Sequence, residues 1–102
     1  MIVFEYRFDV LPGKLAEYEK YTKGPGKDLW LKYPGVKSYR VYKSIFGGST
    51  PQRVIQVEVE SLDALEKIFS DKKFQKAKEK FHSLVTNVSD SILTVVREGE
   101  KK

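Results

Sequence analysis

The run "VFEYRFDV", residues 3 to 10, sets three ionisable side chains two residues apart: Glu5, Arg7 and Asp9. In an extended strand that spacing places all three on one face and Phe4, Tyr6, Phe8 and Val10 on the other. The same alternation recurs in "SYRVY", which offers Arg40 and Tyr42, and in "RVIQVEVE", which offers Gln56 and Glu58. A carboxylate beside a guanidinium on one sheet face suits proton abstraction from a small organic compound, the arginine holding the resulting anion. Glu58 and Arg40 are therefore candidate catalytic residues. His82 joins them as the single histidine, because its ordinary pKa lies near neutrality. Glu5, Arg7, Tyr42 and Gln56 are candidate ligand-binding residues, with Trp30 either at a pocket mouth or capping the core. The opposing expectation for the charged group is a structural ion-pair network.

Composition narrows the chemistry. The 102 residues contain no cysteine and one histidine, so a thiolate nucleophile or disulfide is excluded, and neither a metal site nor a cofactor is expected. The net charge of +5 would permit a polyanion partner. Lys72, Lys73, Lys76, Lys78, Lys80, Lys101 and Lys102 are interspersed with Glu66, Glu79 and Glu100, however, as on a solvated helix face. The RNA-recognition module shares the element order derived below, but its third strand carries stacking aromatics where this chain has none, and Glu58 and Glu60 would repel phosphate. Nucleic acid is not an expected partner. No apolar run approaches the roughly 20 residues that cross a bilayer, so no membrane association and a cytoplasmic location are expected. The abundance of Lys and Glu with few Asn and Gln would suit a thermophile.

The elements that must position these side chains can be read from periodicity. Residues 2–10 alternate with period two, and "LPGK" ends that strand. A helix follows near 13–23, broken at "GPG" because Pro25 lacks an amide hydrogen, with a short helical piece near 27–33. "YPGV" opens a second strand over 36–46, with Tyr39, Val41 and Ile45 on one side. "GGSTP" at 47–51 is a turn leading to a strand at 53–60, a hairpin. Ser61 and Asp71 are expected to cap the next two helical pieces. Phe74, Ala77, Phe81, Leu84 and Val88 share a stripe on the second of these, and "SILTVV" at 91–96 is the last strand. The order β-α-β-β-α-β predicts an α+β, ferredoxin-like domain over 1–98 with a charged tail at 99–102. Its four-stranded antiparallel sheet has the order 4-1-3-2 and carries the helices on one face. Leu93 and Val95 are expected to point to the helices, with Ile92 and Thr94 on the polar side.

Two accounts fit the polar face. It can be a solvated antiparallel surface, on which exposed ion pairs contribute about 0–1 kcal/mol each. It can instead be covered by a second copy, so that two sheets enclose a polar-lined cleft.

The runs "VLPGKLAEYEKY", "YPGVKSYRVYKS" and "RVIQVEVESLDALEKIFSDKKFQKAKEKFHSLV" resemble the dimeric α+β barrel superfamily, including its antibiotic-biosynthesis-monooxygenase-like and EthD-like families. The resemblance implies a homodimer packed sheet to sheet, with a small-molecule pocket between sheet and helices or inside the barrel. Monooxygenase-like members place a tryptophan near the end of strand 3 and a histidine on the next helix, where this chain has Val59 and Ile68. EthD-like members carry a histidine before the Gly-Pro, where this chain has Lys23, and the haem-degrading relatives' asparagine, tryptophan and histidine have no counterpart. Two functions follow as expectations. One is a cofactor-independent oxygenase or isomerase acting on a small organic compound. The other is a non-catalytic dimeric module that binds a metabolite or a partner protein.

Overall fold

The computed structural model describes residues 1–46 and 52–101. Four strands and four helices follow in the order β1 (Ile2–Val10), α1 (Leu15–Lys23), α2 (Pro25–Lys32), β2 (Val36–Lys43), β3 (Arg53–Val59), α3 (Leu62–Ser70), α4 (Lys72–His82) and β4 (Val85–Thr94). All strands pair antiparallel in one sheet of order β2-β3-β1-β4, the expected arrangement read from the other edge. β2 and β3 form the expected hairpin, while the "GGSTP" turn itself lies outside the described residues.

Local chemistry explains the helix ends. Pro25 opens α2, where its missing N–H leaves no helical bond unmade, so only Gly24 interrupts the two helices. The tight seat of Gly26 keeps them together: a β-carbon there would lie 2.8 Å from the Tyr21 ring. The Ser61 hydroxyl accepts from Ala64 N–H at 3.1 Å, and the Asp71 carboxylate accepts from Lys73 N–H at 3.1 Å, so both expected caps are present.

The helices cover one face of the sheet, and the core lies between. Phe4, Tyr6 and Phe8 of β1, Ile55, Val57 and Val59 of β3, Tyr18 of α1 and Leu65 and Ile68 of α3 are all buried. Rings meet mostly edge to face, as between Phe8 and Phe81 at 4.9 Å and between Phe4 and Tyr6 at 4.6 Å.

Three expectations need correction. β2 ends at Lys43, with Ile45 exposed, because pairing with β3 closes at the Ser44 N–H to Gln52 C=O bond. The helix stripe does not reach Val88: α4 stops at His82, and the polar run "TNVSD", which resembles a loop, belongs to β4. An edge strand with one wet side tolerates such residues, and backbone pairing with β1 decides the matter. Finally, β4 carries a bulge opposite Arg7 and Asp9, where Asn87 takes a left-handed conformation with φ 54°. One extra residue exchanges the faces of everything after it. Asp90, Ile92 and Thr94 therefore pair with Tyr6, Phe4 and Ile2 and share their helix-side face, while Leu93 pairs with Val3 on the open side.

Candidate functional site

On the open face the register assembles three rows that each cross the whole sheet. Arg40, Gln56, Glu5 and Ser91 form one; Tyr42, Val54, Arg7 and Ser89 form the next; Ser38, Glu58, Val3 and Leu93 form the third. The six expected sheet-face residues thus share one surface. At its centre the Glu5 side chain is only 7% exposed, although no helix lies above it. Gln56 Nε2 donates to its Oε1 at 2.8 Å and Arg7 Nε donates to its Oε2 at 2.9 Å. These charge-assisted bonds offset the loss of water at the carboxylate. Arg7 makes no bond to Glu58, because it stands opposite Val54 and turns to Glu5 on its own strand. Among the described residues, Arg40 and Glu58 have neither a hydrogen bond nor an ion pair. Tyr42 and Leu93 are exposed beside them at 44% and 43%.

Asp9, at the end of the same row of charges, is also buried. It accepts from the Gln52 backbone N–H at 2.8 Å and from Asn87 Nδ2 at 3.0 Å, joining the start of β3 to the β4 bulge. That role is structural, and it explains the third member of the opening pattern.

His82 and Trp30 lie in the helix layer, so the sheet separates them from Glu58 and Arg40. His82 is exposed in the last turn of α4, its ring against Phe81 at 5.9 Å. Trp30 is buried between Phe4 at 5.9 Å and Phe74 at 5.0 Å. It does line a cavity, on the helix side.

That cavity holds about 30 Å³ between the helices and the sheet, enclosed by Tyr6, Tyr21, Trp30, Tyr39, Phe74 and Lys78 among others. The space fits roughly one water. Beside it a groove of about 490 Å³ runs between α4 and β4, with Phe4, Phe69 and Ile92 as apolar walls and Gln75 and Asp90 as polar ones. Tyr6, Phe74 and Lys78 border both spaces, and none of the six sheet-face residues borders either.

Burial pushes the Tyr6 phenol up to about 12, helped by the Asp90 carboxylate, and burial also raises Tyr21 and Tyr39. All three therefore remain protonated donors at neutral pH. Tyr21 donates to Ala77 C=O at 3.1 Å and Tyr39 to Thr22 C=O at 3.4 Å. Among the described residues the Tyr6 hydroxyl has no partner. The resemblance implied a pocket between sheet and helices, but the residues singled out for it, Trp30 apart, lie elsewhere, and one signal in the sequence pointed to the cleft. Lys78 sits four residues after Phe74 and three before Phe81, a charge within the apolar helix stripe.

No family model matches the chain, and no curated protein matches it. Solved structures do. SnoaB, a cofactor-independent oxygenase from Streptomyces nogalater, superposes with a TM-score of 0.76 at 15% identity, over 95% of this chain and 94% of that one. A candidate antibiotic biosynthesis monooxygenase from Deinococcus radiodurans gives 0.81 at 13% identity, over 100% and 99%. HapK from Hahella chejuensis gives 0.81 at 12%, over 100% and 99%. The chain shares their ferredoxin-like fold.

At these identities the likeness is one of fold. Val59 and Ile68, at the positions of the tryptophan and histidine of monooxygenase-like members, are 0% and 1% exposed and form part of the apolar core. Lys23 is exposed, 4.0 Å from Glu19. Among the described residues no group of histidine, aspartate and glutamate is arranged to hold a metal, and no helix is long and apolar enough to cross a membrane.

Proposed function

We propose that this protein is a homodimeric α+β barrel that binds a small organic compound in the aromatic cleft beneath α4 and acts on it as a cofactor-independent oxygenase. The observation that carries the ligand site is the Tyr6 hydroxyl. The Tyr6 side chain is buried, and its hydroxyl, which has no protein partner among the described residues, borders both the cavity and the groove. A phenol donor left over in a concave aromatic site is available to a ligand. A compound of this kind, deprotonated to an enolate or phenolate, can itself supply the electrons that reduce oxygen. The fold likeness to a cofactor-independent oxygenase supports the same reading.

The sheet face takes a different role in this proposal. Arg40 and Glu58 without partners, and Tyr42 and Leu93 exposed beside a buried Glu5, suit closure against a second copy more than contact with bulk water. Glu5, Arg7 and Gln56 then form the polar centre of a subunit interface.

A non-catalytic binding module is the second reading, favoured by the aliphatic residues at positions 59 and 68. Oxygen uptake separates the two. Hydroxylated polycyclic aromatic compounds incubated with the protein and no added metal or flavin should consume oxygen in the wild type. The rate should fall severalfold in Tyr6→Phe. Saturable binding without uptake would favour the module, and no binding at all would remove the cleft as a site. Sedimentation should give twice the chain mass, reverting toward the single-chain mass in Leu93→Asp. A monodisperse monomer in the wild type would refute the interface.

A further inference from the structure

We propose that the cleft selects planar aromatic ligands carrying an acidic oxygen, with Lys78 as the specificity-determining side chain and the Tyr6 hydroxyl as the second polar contact. The inference rests on the cleft being the ligand site, and it specifies which compounds that site accepts.

Lys78 is the cationic side chain that borders both the cavity and the groove. Like Lys72 and Lys76 of the same helix it has no ion pair among the described residues, whereas Lys80 lies 3.5 Å from Glu17. What sets Lys78 apart is its place at the cleft. It stands between Phe74 and Phe81 on α4, where a lysine stem can lie along apolar surface and present its ammonium to the cleft that the residue borders.

The opposite wall fixes the orientation of a ligand. Asp90 projects from β4 on the helix side, beside Tyr6. An anionic group is repelled by this carboxylate and drawn to Lys78, so the acidic end of a ligand must lie along α4. A hydroxyl on the same ligand can donate to Asp90. Between the two charges the walls are rings: Phe4 meets Phe69 at 5.1 Å, and Phe69 meets Phe74 at 5.5 Å. Flat aromatic surface packs against such an array by offset or edge contacts. The groove volume of about 490 Å³ lies in the range of small-molecule sites, roughly 300–1,000 Å³. The resulting ligand class is a hydroxylated aryl carboxylate, or an aryl compound whose phenol or enol ionises readily.

Fluorescence or calorimetric titration with 1-hydroxy-2-naphthoate and with its uncharged methyl ester tests the inference. The wild type should bind the acid at least about tenfold more tightly than the ester, as expected for a charge-assisted bond. Lys78→Met should abolish that preference while leaving ester affinity within about twofold, and Lys78→Arg should restore most of it. Lys72→Met, on the same helix but away from the cleft, should keep the preference, which separates a local contact from the general positive charge. Equal binding of acid and ester by the wild type, or a preference that survives Lys78→Met, would overturn charge selection while leaving the cleft as a binding site. Failure to bind either probe would overturn the cleft itself and this inference with it. Lys78 is exposed, so neither variant should affect folding, and thermal melting should match the wild type.

Discussion

On the helix side of β1, Phe4, Tyr6 and Phe8 are buried by other rings; on the open side Glu5 and Asp9 are buried almost as fully, but by hydrogen bonds. One strand therefore serves two regimes. The ring side gains from removing apolar area from water, a term that is large and indifferent to direction. The polar side exchanges water for directed bonds, which net only about 0.5–1.5 kcal/mol each but fix positions tightly. The difference lies in what each layer leaves open. The ring layer is nearly complete within the chain, apart from the cleft under α4. The polar layer leaves Arg40 and Glu58 without partners among the described residues and Tyr42 and Leu93 exposed.

The sharpest way to break this contrast is to delete one side chain from each face. Phe8→Ala, at a fully buried site that touches Tyr18 and Phe81, should lower the unfolding free energy by about 3–5 kcal/mol in a denaturant titration. Alkaline pH should attack the same side. Burial holds Tyr6 and Tyr18 up near 12 from the ordinary 10.0. The unfolded chain thus releases these protons first, and the stability they contribute, complete below about pH 10, is lost as pH rises through about 12. Tyrosinate absorbance and loss of circular dichroism should therefore rise together over that interval; phenols that ionise at pH 10 in a folded chain would contradict their burial.

On the polar side Glu5→Ala should cost less, about 1–3 kcal/mol, by stranding the Gln56 amide and the Arg7 guanidinium. A loss as large as that of Phe8→Ala would mean that the two faces are not energetically distinct. The smallest effect expected is at the bulge. Asn87→Ala combines a left-handed backbone with a lost bond to Asp9 and should cost about 1–2 kcal/mol, and Asn87→Gly should recover the backbone part.

Much of this was legible beforehand. Alternation in "VFEYRFDV" identified β1 and both its faces, and it correctly gathered Glu5, Arg7, Arg40, Tyr42, Gln56 and Glu58. Ser61 and Asp71 announced helix starts because caps act within one turn of chain, whereas Pro25, read as a break, opens α2. β4 was hidden because its polar residues resemble a loop and its bulge reverses the later side chains, which depends on pairing with β1, a partner some eighty residues away. The cleft was hidden because Lys78 falls in a lysine-rich stretch whose composition suggests a solvated surface. Only the position of α4 over Phe4 and Tyr6 sets that lysine at the rim of a groove.

Local physics was sufficient for the sequence to determine the element order, most boundaries, the caps and the two-faced character of the central strand, since each depends on neighbours within a few residues. The tertiary structure alone decided that Glu5 is shielded by Arg7 and Gln56, that Tyr6 keeps an unpartnered hydroxyl, and that the candidate residues divide between opposite sides of the sheet. Those outcomes depend on which distant segments come to lie side by side, and a linear pattern fixes the face of a side chain before it fixes what that face will meet.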